Sequence, residues 1–450
     1  MTVSEPAEDT AAKADKSSPW RDVNFRLLAV GTTASDLGFQ IALVAVPLVA
    51  VTTLGATSFQ VGVLRGVGQL PYPIFVLFVG VYADRWRRRN MLVGADLGRA
   101  LALIAVPVVF AAHSLGIPVL YVVEFVVGFG TVLFDVGSLA YLPRLIDRQD
   151  LAQANSIVQS AQSAALIFGP VLGGVFVSLL MPPRAVIACV VCFLLSTFTI
   201  WRIRKSEPRQ TPSGGAANPF PQIKEGIAFV TKNPVLRAIA IISGVFNFCY
   251  AGYLALYLVF LPKELQLPGY AIGIALAATG PGFLVGAIMS SWLPRRFGYG
   301  PVLIVCSFLS VALLLGVPAL HGRGFVTLAL LVLLNFLYGC LAQTFTVALV
   351  SIRQAITPDQ VLGRVMATLR FLGVGLIPLG SLVGGVLGST AGVRAGLLIL
   401  AIVMCAVPVP FALSRSALTR IGKELPEAVE MPASPDLPPP PADLPTTAGN

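Results

Sequence analysis

Apolar stretches long enough to cross a membrane recur about twelve times in this chain, and the second half repeats the first at a constant offset. Glu124-Phe125 maps onto Asn335-Phe336, an offset of 211 (335 − 124 = 211). At the same offset Gly128 maps onto Gly339, Asp36 onto Asn247, Asp84-Arg85 onto Arg295-Arg296 and Gly173-Gly174 onto Gly384-Gly385. A duplicated helix bundle lets two similar halves pivot about a site between them. The repeat is chemically uneven, because the first half carries acids where the second carries amides.

Hydrophobic residues make up 56% of the chain and charged residues 12%. A soluble domain carries roughly a quarter charged residues, so lipid is the expected solvent for most of this surface. The net charge of +10 does not imply nucleic acid. Its lysines and arginines sit in short loops between apolar spans, with no basic stripe among aromatics. The six cysteines all fall inside apolar spans. Cys189 and Cys192 form a C-x-x-C without a second pair, so packing is the expected role, with no disulfide framework, metal or cofactor.

The spans are placed near 25–52, 60–82, 90–112, 117–141, 155–180, 184–203, 236–261, 270–292, 301–320, 324–349, 362–388 and 392–414. Each is close to the roughly 20 residues that hydrocarbon demands, and lipid forces backbone hydrogen bonds to close within the segment. The expected fold is therefore an all-α membrane protein, twelve transmembrane helices in two pseudo-symmetric six-helix bundles. Domain limits follow: an N-terminal tail 1–22, a first bundle 23–203, a linker 204–235, a second bundle 236–414 and a Pro-rich disordered tail 415–450. Loops after even-numbered spans carry Arg85, Arg87, Arg88, Arg89, Arg144, Arg295, Arg296 and Arg353, whereas odd-numbered ones carry few basic residues. This bias predicts a multi-pass protein of the cell membrane with both termini cytoplasmic.

Two motifs stand out. Span two ends in Gly80-Val81-Tyr82-Ala83-Asp84-Arg85-Trp86-Arg87-Arg88-Arg89, and span five contains Gly169-Pro170-Val171-Leu172-Gly173-Gly174. The first resembles the G-x-x-x-D-R-x-x-R-R loop of the major facilitator superfamily, in the place where that family has it. The second resembles the G-P-x-x-G-G element of the family's antiporters. The stretches Phe134-Asp135 to Ser156 and Asp96-Leu97-Gly98-Arg99 resemble a narrower branch that includes enterobactin exporters and macrolide-efflux proteins.

The resemblance implies that Gly80, Asp84, Arg85, Arg88 and Arg89 form a conformational latch, with Asp84 facing the positive end of span eleven. Asp96 and Arg99, one helical step apart, are expected to pair with that loop. It also implies that spans one, four, seven and ten line a cavity. Many of the family's drug–proton antiporters carry an arginine early in span four; here Glu124 stands in its place, so the arginine's role does not transfer.

A charge near the bilayer centre costs about 2.5–3.5 kcal/mol on insertion scales, so such a residue faces a bundle interior or water. Asp36 lies about twelve residues into span one, roughly 17 Å deep at 1.5 Å per residue. Asp36 is therefore the leading protonation candidate, followed by Glu124 and Asp135, with internal pairing to Arg65 or Arg370 as the alternative. Arg65 and Arg370 themselves are read as internal partners, with anion binding as the alternative. Gln40, Asn247, Tyr250, Tyr253, Asn335 and Gln343 are candidates for the substrate cavity. Tyr250, Tyr253 and Tyr257 share one face of span seven, which suits a large, partly apolar ligand or an interfacial belt.

The expected activity is proton-driven export of drug-like or siderophore-like small molecules by a monomer, through alternating access. The alternatives are proton symport of a small solute and a non-transporting membrane receptor on the same fold. The expected partners are a small-molecule substrate, protons and the bilayer, with no nucleic acid. No protease, hydrolase or phosphate-loop motif is present, so no enzyme is expected.

Overall fold

The computed structural model describes residues 19–83, 86–146, 150–205 and 227–406. Its elements are α1 (Val23–Leu48), α2 (Ser58–Gln69), α3 (Pro71–Ala83), α4 (Arg88–Ala111), α5 (Ile117–Leu145), α6 (Leu151–Leu180) and α7 (Pro182–Trp201) in the first half. The second half has α8 (Pro234–Lys263), α9 (Gly269–Ala277), α10 (Thr279–Phe297), α11 (Tyr299–Leu314), α12 (Phe325–Ile356), α13 (Asp359–Gly375), α14 (Ile377–Thr390) and α15 (Val393–Ala406). Among the described residues, ten helices are long and apolar enough to cross a membrane. The second span is divided between α2 and α3, and α15 is described only to Ala406. Counted this way, the described helices make twelve spans in two six-helix bundles.

Local chemistry explains where the helices start and break. Asp22 accepts a hydrogen bond from Asn24 N at 2.7 Å and caps α1. Thr57 and Gln60 form a reciprocal capping box at α2, and Asn233 caps α8 through Val235 N and Leu236 N. Spans two, eight and eleven are each broken once, beside Pro71, Pro281 and Pro378. Proline removes a backbone donor and clashes with the preceding turn. Within α1, Pro47 is followed by a π-helical turn, Val49–Thr53.

Let the near end be the one where α1 starts and the far end the one where it finishes. At the far end the bundles share a single apolar core, in which Val44, Ala45, Leu48 and Val61 join Leu256, Phe260 and Ala271. At the near end each bundle keeps its own core. Phe25, Leu92, Tyr141 and Ile200 pack in the first, and Ile239, Val302, Phe345 and Ile352 in the second. Among the described residues the two lobes thus share a core at the far end and keep separate cores at the near end.

Two helix pairs carry the far-end contact, α6 with α9 and α2 with α14. A β-carbon on Gly174 would lie 2.3 Å from the carbonyl oxygen of Gly269, and one on Gly62 would lie 2.6 Å from the Cα of Gly385. Only glycine allows backbones so close. Two hydrogen bonds cross the same boundary, Lys263 Nζ to Ala56 O at 2.5 Å and Tyr270 N to Ser178 Oγ at 2.8 Å. Gly174→Val is therefore expected to part α6 from α9. In a cysteine-free background carrying Ser178→Cys, labelling by an impermeant maleimide should rise severalfold; unchanged labelling would contradict this packing.

The outer surfaces suit lipid, with Phe168, Leu179, Phe198, Ile288 and Phe325 exposed. All four tryptophans of the chain, Trp20, Trp86, Trp201 and Trp292, are exposed at the near end. Arg296 lies over the Trp292 ring at 5.3 Å and Arg202 over Phe198 at 5.5 Å. Such a girdle of rings and cations marks an interface level.

Several expectations fall outside the described residues: the tail before residue 19, Asp84 and Arg85, most of the 204–235 linker, and everything after Ala406, including the Pro-rich tail.

Candidate functional site

Between the lobes, on the near side of their contact, lies a cavity of about 520 Å³. Its first-lobe wall is Asp36, Phe39 and Gln40 of α1, Arg99 of α4, Thr131 and Asp135 of α5, and Gln159, Gln162 and Ser163 of α6. The second lobe contributes Gly280, Phe283 and Ala287 of α10 and Gln343 of α12. A deeper chamber of about 180 Å³ adjoins it, sharing Gln40, Leu166, Gly280 and Phe283, and adding Arg65, Tyr250 and Thr279. A third, narrow void of about 30 Å³ holds Arg65, Tyr72, Glu124 and Thr131 within the first lobe.

The charges are organised around Arg99. It is buried, pairs with Asp96 one helical step away on α4, and donates to Ser35 Oγ at 2.9 Å. Ser35 in turn donates to Asp96 at 3.1 Å. The guanidinium lies over the Phe134 and Phe193 rings at 4.8 and 4.5 Å. Asp135 and Arg99 are the main charges acting on Asp36. Its Oδ2 is buried and accepts no hydrogen bond among the described residues. Arg99 therefore serves three carboxyls, of which Asp96 claims it directly, and Arg370 also acts on Asp135.

Glu124 sits one chamber away. Its Oε2 lies so close to Gly68 that a β-carbon there would be 2.5 Å from it. Arg65 and Glu124 act on each other electrostatically but form no ion pair. On α5, Glu124, Thr131 and Asp135 are spaced seven and four residues apart, which places them on one helical face. That stripe links the narrow void to the main cavity.

The sequence candidates divide accordingly. Asp36, Asp135, Gln40 and Gln343 meet in the main cavity, Tyr250 lines the deeper chamber, and Glu124 lines the narrow void. Asn247, Tyr253 and Asn335 line none of these three spaces. Asn247 donates to Ser243 O of its own helix at 2.9 Å. Tyr253 donates to Leu314 O at 2.9 Å, and Asn335 donates to the Tyr257 hydroxyl at 2.8 Å. Buried phenols and amides need partners, and these three found them inside the second lobe. Tyr250 instead stacks on Phe246 and Tyr338, with centroids 5.8 and 5.5 Å apart.

Asp96 and Arg99 turn into the first lobe, onto each other and Ser35, while Asp84 and Arg85 of the loop they were expected to meet lie outside the described residues. Arg88 is buried and Arg89 donates to Trp201 O. Arg65 interacts through charge with Glu124, without an ion pair or hydrogen bond among the described residues. Arg370 lies over the Tyr72 ring at 5.8 Å and acts through charge on Asp135. In span five, Gly169 packs against Gln40, while Pro170 O and Gly174 face Gly273 across the lobe boundary.

Sequence reasoning overlooked Gln159, Gln162, Ser163 and Thr131 as cavity residues. The signal was present, because polar residues three and four apart on an apolar span mark a face turned away from lipid.

The model of the Major Facilitator Superfamily matches residues 28–354. The multidrug efflux pump Tap of Mycolicibacterium fortuitum is 26% identical over 395 residues, covering 84% of this chain and 92% of Tap. The enterobactin exporter EntS of Salmonella choleraesuis is 25% identical over 347 residues, covering 76% of this chain and 80% of EntS. Among solved structures, the nucleoside transporter NupG superposes with a TM-score of 0.71 at 13% identity, covering 87% of this chain and 100% of NupG. With two six-helix lobes, a cavity between them and a family match over most of its length, the chain belongs to the Major Facilitator Superfamily and is a membrane transporter.

Proposed function

We propose that this transporter is a proton-driven exporter of drug-like or siderophore-like amphipathic molecules, working as a monomer by alternating access in the cell membrane. The near end faces the cytosol, so the described state is open inward. The observation that carries the reading is the placement of Asp36 and Asp135 in an inter-lobe cavity lying on the near side of a sealed far end. A carboxyl that meets the cavity can exchange its proton with whichever side the cavity faces, and a substrate bound beside it competes for the same charge. Asp36 is the main protonation site, with Glu124 and Asp135 as further sites. The Trp and Arg girdle at the near end supports the orientation. Two relatives whose names describe efflux or export support the direction.

The test is efflux of a fluorescent dye from loaded cells that express the protein. Efflux above the empty-vector rate should disappear when a protonophore collapses the gradient. Gradient-dependent accumulation in place of efflux would overturn export, and efflux indifferent to the protonophore would overturn proton coupling.

A further inference from the structure

The cavity is electrically two-ended. At its wide end stand the carboxyls of Asp36 and Asp135, whose shared cation Arg99 is held by Asp96. At its deep end stands Arg65, in a chamber otherwise walled mainly by Leu43, Leu254, Leu258 and Tyr250. Gln40, one helical turn beyond Asp36 on α1, belongs to both spaces. The wide and deep ends are separated by about two turns of α1, from Asp36 to Val44, roughly 12 Å at 1.5 Å per residue.

Arg65 is the unusual member of this arrangement. A guanidinium offers five donors in a planar fork and does not give up its charge. In a mostly apolar chamber it requires acceptors; Glu124 acts on it through charge, yet no described group forms an ion pair or hydrogen bond with it. Glu124 lies behind it, in the narrow void within the first lobe, pressed against Gly68. The face turned to the chamber is open to a ligand approaching from the second lobe, beside Tyr250 and Thr279.

Building on the export reading above, we propose that Arg65 and Tyr250 form a second recognition subsite that grips a carboxylate of the substrate while its cationic group lies at Asp36 and Asp135. The substrate class is therefore an amphoteric amphiphile. It carries an ammonium or amidinium at one end, a carboxylate on the order of 10 Å away, as the spacing of helical turns sets it, and an apolar body between. Phe39, Leu166 and Phe283 form the wall against which that body lies. A purely cationic molecule leaves the guanidinium without acceptors and forfeits a bidentate charge-assisted pair.

The matched probes are rhodamine 110, which has a free carboxyl, and rhodamine 123, its methyl ester. Their binding is measured by fluorescence polarisation on the full-length protein in nanodiscs, at a pH where the acid is ionised. Wild type should prefer the acid by about tenfold or more, the scale of one hydrogen bond to a charged group. Arg65→Gln should bring the acid-to-ester ratio close to one, and Arg65→Lys should restore part of it. Retained ester binding by Arg65→Gln reports an intact fold. A wild type without preference, or binding neither dye, overturns the subsite, as does equal loss of both dyes in Arg65→Gln with no recovery in Arg65→Lys. Dye efflux is scored separately in cells. Absent preference with intact protonophore-sensitive efflux removes the subsite and leaves export standing. Preference without efflux removes export and leaves the subsite.

Discussion

Asparagine at position 36 is expected to leave the protein folded and inserted while proton-driven transport falls by more than about tenfold. A gradient of one pH unit offers about 1.4 kcal/mol per proton, which a carrier unable to bind that proton cannot use. The substitution keeps shape and volume and removes only the titrating oxygen. Little structure depends on that oxygen, because Asp36 Oδ2 accepts no hydrogen bond among the described residues. Removing its charge also takes away the repulsion that Asp135, on the same wall of the cavity, exerts on Asp36. The measurement is paired. Gradient-driven uptake into proteoliposomes should collapse, while substrate counterflow, which needs no proton, should persist. Undiminished driven transport at normal membrane levels would remove Asp36 from the mechanism.

Loss of Arg99 should have the largest effect on stability of any single change in the first lobe. Arg99→Met removes the cation shared by Asp36, Asp96 and Asp135 and leaves Asp96, wholly buried, without its ion pair. Breaking a buried pair by removing one partner costs about 3–5 kcal/mol. The two ring contacts, to Phe134 and Phe193, are lost as well. Asp96→Asn should cost less. Arg99 then still faces Asp36 and Asp135, and the amide can keep the Ser35 contact. The expected order of denaturant resistance is wild type, then Asp96→Asn, then Arg99→Met, read by unfolding in one detergent. Equal stability of Arg99→Met and wild type would contradict the buried cluster described here.

The asymmetry between halves is visible in both sequence and structure. At the repeat offset of 211, Asp96 and Arg99 map onto Ser307 and Ser310 (307 − 96 = 211; 310 − 99 = 211). Both serines are buried and donate to carbonyls of their own helix, Ile304 O and Ser307 O. The second lobe thus holds the same register with hydroxyls that need no counter-charge. It contributes shape, amide and ring to the cavity through Gln343, Tyr250 and Phe283, whereas the first contributes the charge.

The helices and the place of Asp36, Glu124 and Asp135 within them could be read along the chain, because lipid allows few backbone solutions and penalises a stray carboxyl. Span placement agrees closely with the observed helices, and the proline breaks lie where proline must act. Facing was harder to read. Tyr250 and Tyr253 share a face by spacing, yet one lines the inter-lobe chamber and the other bonds Leu314 inside its own lobe. Spacing put Asp96 and Arg99 one step apart, but their shared contact with Ser35 of α1 was not legible along the chain. Periodicity specifies which side chains travel together on a helix, but the neighbour they meet is set by how the helices pack. In the same way, Gly174 stood out in the span-five motif, while only the assembled lobes decided that its contact, and that of Gly62, join the two halves at the far end. Such contacts depend on residues hundreds of positions apart arriving together, and no local pattern encodes that meeting.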